Sequence, residues 1–77
     1  MNDTIYKTDR MIINDVIDEL SWDPRISNSK IDVTSSAGIV TLDGLTSYNA
    51  HKIFAEEDAR RVSGVRSVTN KIELEVT

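Results

Sequence analysis

The sequence predicts an α+β domain: a two-layer sandwich in αββαβ order, with two helices on one face of a three-stranded mixed sheet. Three observations carry that expectation. Apolar residues recur at helical spacing in two stretches and at a spacing of two in three others. Changes of period fall at glycine, proline or good capping residues. The last helical stretch sits between two strand-like ones, so those two strands run parallel, joined by a right-handed crossover.

The first helix is "TDRMIINDVIDEL". At about 100° per residue, Ile12, Val16, Leu20, Ile13 and Ile17 fall in one arc, and Asn14, Asp15, Asp18 and Glu19 fill the other side. Met11 is the one apolar residue out of place. Thr8 or Asp9 caps the start by accepting a free backbone N–H. Pro24 closes the region, because the residue before a proline is pushed out of the helical basin. Trp22, beside that proline, is expected to close the end of the helix over the core; the other reading makes Trp22 and Tyr6 interfacial anchors.

"KIDVTSSAGIVTLDG" reads as a hairpin. Ile31 and Val33 share one face of the first strand, Val40 and Leu42 one face of the second, while Asp32, Thr34, Thr41 and Asp43 face water. Ile39 breaks the alternation. Gly38 supplies a positive φ at the turn, and Gly44 is expected to mark the far end of the second strand. The second helix starts after Thr46 or Ser47 and runs to about Val62, with Tyr48, Ala55, Ala59 and Val62 on its inner face. Gly64 reads as a left-handed C′ residue, with Val65 as the apolar contact of that cap. In the last strand Val68, Ile72, Leu74 and Val76 share a parity, and Asn70 shares it too.

Seventy-seven residues make one domain. A chain this short buries only about 60% of its unfolded surface, which leaves little apolar material for a deep enzyme pocket. No cysteine is present, so disulfides, thiolate metal sites and thiol nucleophiles are excluded together. The net charge of −4 repels nucleic acid and anionic lipid on average. No stretch has the pattern of a signal peptide or a membrane span, which suits a cytoplasmic setting.

The combined spacing of Val33, Gly38, Val40, Leu42, Gly44, Ala55, Ala59, Val62, Gly64, Val65, Val68 and Asn70 resembles the BON domain, named for bacterial osmotically inducible and nodulation proteins. The resemblance runs from about residue 9 to 76, leaving 1–8 as an N-terminal segment before a domain over 9–77. "DELSWDPRI" and "TSY" are similar to a subgroup that repeats in tandem in unexported bacterial proteins. The resemblance implies no catalytic activity and no cofactor, with roles in phospholipid association, envelope maintenance or osmotic stress. Two positions depart from the family pattern. Thr46 stands where an apolar residue is usual, and Asp58 where the family tends to be apolar or small.

Candidate chemistry is sparse. Ser47 and His51 lie four residues apart, but nothing like a G-x-S-x-G elbow accompanies them, so a capping serine and a surface histidine are the better reading. His51 with Asp43 or Asp58 lacks the spacing of a metal site. The glycines at 38, 44 and 64 cannot form the G-x-x-G loop of a KH-type RNA binder. Arg60, Arg61, Arg66 and Lys71 form the one basic concentration, either an anion or lipid contact or compensation of a helix dipole, with Glu56 and Glu57 set to pair with Arg60 and Arg61. Ala50, Ile53 and Phe54 lie off the inner face of the second helix; they form either a contact surface or the periphery of the core.

The expected function is a non-enzymatic interaction module of a stress- or envelope-related protein, with a neighbouring domain or protein as partner. A peripheral phospholipid-binding domain is the alternative. No nucleic acid, metal or small-molecule substrate is inferred.

Overall fold

The computed structural model describes residues 7–26 and 30–75. The elements are α1 (Asp9–Ser21), a 3-10 turn (Pro24–Ile26), β1 (Lys30–Ser36), β2 (Ile39–Thr46), α2 (Asn49–Arg60) and β3 (Ser67–Leu74). β2 is the central strand, antiparallel to β1 and parallel to β3, and both helices pack on the same sheet. This is the predicted α+β order, and the strand sequence β1-β2-β3 completes it.

Val40 and Leu42 on β2 are fully buried, joined by Ile12 and Val16 of α1, Ala55 and Ala59 of α2, Val62 and Ile72. The two alanines bring the α2 axis close to the sheet, since little side chain separates them. The opposite face carries polar rows in register, Asp32 beside Asp43 beside Lys71, and Thr34 beside Thr41 beside Thr69. Ile39 belongs to that outer face and is exposed.

α1 starts as expected: Thr8 is the N-cap, and its Oγ1 accepts from the Met11 N–H at 3.2 Å. Asp9, next in line, staples the helix to the hairpin. Its carboxylate accepts from the Ser35 hydroxyl at 2.7 Å and from the N–H groups of Ala37 and Gly38 at 3.1 and 3.2 Å. Those three donors, the hydroxyl foremost, hold the Asp9 carboxyl below the usual carboxylate range. The turn it grips has positive φ at both central residues, +52° at Ala37 and +82° at Gly38, the two-residue geometry whose twist matches a β-hairpin.

Several expectations fail. Trp22 does not close the core: it is the C-cap of α1 and 79% exposed, and Ile26 in the 3-10 turn is buried against α2 instead. The chain turns at Asp23 before the indole can fold back, so the next apolar residue enters. Ile17 is half exposed because the contact of α1 is centred on Ile12 and Val16. Tyr48 is the N-cap of α2 rather than an inner-face residue and is largely exposed. It has no side-chain cap bond; Thr46, buried beneath it, accepts from its N–H at 3.4 Å.

Gly44 is not at a turn. It lies inside β2, between Ile31 and Ile72, with φ +137°, and a Cβ there would sit 1.9 Å from the Lys30 carbonyl oxygen. Close backbone approach, not chain reversal, requires glycine at that position. Gly64 has the expected positive φ, yet α2 ends at Arg60 with Arg61 as its cap, so this glycine shapes the following turn instead of the C′ position. Leu74 shares the parity of Ile72 but is half exposed at the strand end. Tyr6 and Val76 lie outside the described residues.

Candidate interaction face and the charged seam

α2 places its residues by simple rotation. Ala55, Asp58 and Ala59 point inward, and Ala50, Ile53 and Glu57 point to solvent. Ile53 is 51% exposed. It lines a shallow cleft of about 360 Å³ with Asn49, Lys52, Glu56, Arg60 and Asn70. Around it, Arg60 donates two bonds to Glu56 at 3.1 and 2.8 Å, and Asn70 donates to the Lys52 carbonyl and to Glu56 at 2.9 and 3.2 Å. Arg60 first, then Asn70, keeps the Glu56 carboxyl below its usual value. Ile53 thus lies beside a mutually paired set, Glu56, Arg60 and Asn70, with Asn49, Lys52 and Glu57 completing the rim.

Phe54 does not pack beside Ile53. It faces the 3-10 turn, where the Arg25 guanidinium lies 4.0 Å above its ring. Arg25 there makes a fork to Asp23, Nε and one terminal nitrogen donating at 2.9 and 2.8 Å, while its backbone N–H donates to the same carboxylate at 2.9 Å. Asp58 sits at the same seam with its side chain fully buried. It accepts from Arg61, and Arg25 is 3.6 Å away, but one Asp58 oxygen has no hydrogen-bond partner.

The four basic residues do not converge. Arg60 is tied to Glu56, and Arg61 to Asp58 and, at 3.5 Å, to Glu19 of α1. The expected Glu57–Arg61 pair does not form; Glu57 instead lies 4.0 Å from Arg25. Arg66 runs under the hairpin, its N–H donating to the Gly38 carbonyl at 2.8 Å, with its aliphatic stem within 2.9 Å of where a Gly38 Cβ would be. Lys71 projects from the outer face of the sheet beside Asp43.

Of the remaining candidates, Ser47 precedes α2 and is exposed, and the His51 ring lies 5.1 Å from that of Tyr48. No cluster of three His, Cys, Asp or Glu side chains suited to a metal occurs among the described residues. No helix among them is long and apolar enough to cross a membrane. Sequence reasoning missed Asp23 and Arg25 as partners of Asp58. The signal available was Asp58 itself, a charge on an inner face otherwise made of the small residues Ala55 and Ala59.

The architecture defines a small two-layer α+β domain with a shallow cleft on α2 and a charged seam between α2 and the turn after α1. A family model, the BON domain, matches residues 8–76, nearly the whole chain, and the protein belongs to that family. BON domains are known for binding phospholipids or mediating interactions. A search of curated proteins gave no match.

Proposed function

We propose that this domain is a non-enzymatic interaction module that docks a neighbouring domain or partner protein on the outer face of α2, centred on Ile53 and Ala50. The carrying observation is the half-exposed Ile53, set in a shallow cleft whose polar rim is internally paired at Glu56, Arg60 and Asn70. Such a rim loses little on desolvation, and burying one isoleucine contributes about 1.5–3 kcal/mol. Phe54 contributes at most an edge, since Arg25 covers its face. The likeness of "DELSWDPRI" and "TSY" to tandem-repeat BON domains makes a second such domain a natural partner.

Phospholipid binding is the rival reading. The net charge is −4, and Arg60 and Arg61 are each engaged by carboxylates, so anionic vesicles should be bound weakly and released at about 0.1 M salt, where the screening length is about 10 Å. Sedimentation at high concentration, with wild type and Ile53→Glu, together with vesicle flotation, separates the two. Self-association weakened by Ile53→Glu supports docking. Strict monomers in both with the same partners captured by Ile53→Glu, or tight salt-resistant flotation, overturns it.

A further inference from the structure

Asp58 is the anomaly of this chain. Its side chain is fully buried, on the flank of α2 that faces the turn after α1. One oxygen accepts from Arg61; the other has no donor. A buried acceptor left unpaired is costly, and a buried carboxylate more so. Across Arg25 from it is Asp23, itself buried, which already receives three bonds from Arg25. Arg25 lies against both carboxylates, 2.8 Å from Asp23 and 3.6 Å from Asp58, and two carboxylates gathered at one guanidinium have only acceptors to offer each other, unless one carries a proton.

We infer that Asp58 and Asp23 form a proton-operated latch between α2 and the α1–β1 connection, closed when one proton is shared between them and loosened when both are ionised. Every charged group at the seam fits a single proton. From the connection after α1 come Asp23 and Arg25; from α2, Asp58 and Glu57; after α2, Arg61; from α1, Glu19. The β2 and β3 residues packed beneath α2, Val40, Leu42 and Ile72, carry no charge. With Asp58 protonated, two cations face three anions; with it ionised they face four. The protonated form also gives the orphan oxygen a donor role toward Asp23. His51 lies on the same flank two turns earlier, with its ring beside that of Tyr48.

The directions agree with this geometry. Burial, and then the hydrogen bond and charge of Asp23, push the Asp58 carboxyl up to about 6, against the opposing pull of Arg61 and Arg25. The Arg25 fork, and then Asp58, hold Asp23 well below the usual carboxylate range. An unfolded aspartate releases its proton near pH 4. Between about pH 4 and 6 the folded chain therefore holds a proton that the unfolded chain has lost, and stability falls as pH rises through that window. The depressed carboxyls, Asp9, Asp23 and Glu56, act oppositely, losing their contribution only as pH falls below about 4. Above about pH 5 those three no longer contribute a slope, and the Asp58 carboxyl does.

The test follows the carboxyl carbon of Asp58 by NMR in the intact chain, with the folding equilibrium in urea of wild type, Asp58→Asn and His51→Gln. The side-chain signal of Asp58 should titrate well above the aspartate range. The folded-to-unfolded ratio of wild type and His51→Gln should fall about tenfold from pH 5 to pH 7, while Asp58→Asn stays level. Protection of the Asp23 and Ile26 N–H groups, corrected for intrinsic exchange, should drop with the same midpoint in wild type. An ordinary Asp58 titration, or a slope that disappears with His51→Gln rather than Asp58→Asn, overturns the latch. Unchanged protection at Asp23 and Ile26 leaves a titrating pair but no latch, and also overturns it. The NMR titration needs no variant, so misfolding of Asp58→Asn cannot rescue the idea.

Discussion

α2 meets the rest of the domain along two seams of opposite chemistry. Toward the sheet it offers Ala55 and Ala59 to a cluster built on Val40, Leu42 and Ile72. Toward the turn after α1 it offers Asp58 to Asp23 and Arg25, and Phe54 to the Arg25 guanidinium. The first seam gains from burial alone, roughly in proportion to area, and neither acid nor salt should alter it much. The second repays desolvation of several charges with Coulomb attraction and hydrogen bonds, so its net contribution is small while the cost of breaking it halfway is large. One helix is thus fixed by a contact indifferent to solution conditions and tuned by one that responds to them.

The strongest way to break the apolar seam is through the strand beneath it. Gly44→Ala sets a Cβ on the Lys30 carbonyl and should cost about 4 kcal/mol or more, by urea denaturation, at pH 5 and pH 7 alike. Leu42→Ala, which opens a cavity under α2, should cost about 3 kcal/mol, again without pH dependence. If either loss varied strongly with pH, the two seams would not be separable. Gly64→Val and Gly38→Val place β-branched residues at φ +96° and +82° and should each cost more than 1 kcal/mol, read as ~1–2 kcal/mol on the left-handed penalty. A neutral thermal midpoint in both would show that these turns carry no constraint. Trp22→Ala should lie within about 0.5 kcal/mol of wild type, because the indole is in water, and the emission of Trp22 should change little on unfolding.

How much of this was legible in the sequence follows the same division. Val40 and Leu42, Ala55 and Ala59 announce themselves by period, because burial against a sheet repeats along the chain. The αββαβ order followed from that, and the BON resemblance from the same residues. The charged seam has no period. Asp58 and Asp23 belong to separate elements and meet only through the packing of α2 on the 3-10 turn, which local pattern does not encode. Trp22 and Tyr48 failed for a related reason: both stand at helix boundaries, where extrapolating the helical angle by one residue places a side chain on the wrong side. Asn70 was the instructive middle case. A polar residue at core parity signals a specific partner, and the partner is the backbone of α2 at Lys52.

Asn70 does one more thing. Its Oδ1 accepts from the Ile72 N–H at 3.1 Å, on a strand that borders the sheet. An unpaired N–H on a border strand is an invitation to any extended chain, including another copy's, to add itself to the sheet. Here the side-chain amide stands in for the missing neighbour in the middle of β3, and an incoming strand would have to evict it before pairing. The residue that clamps α2 to the sheet thereby also occupies one hydrogen-bonding position of the β3 border, so that a strand added there would gain one bond fewer.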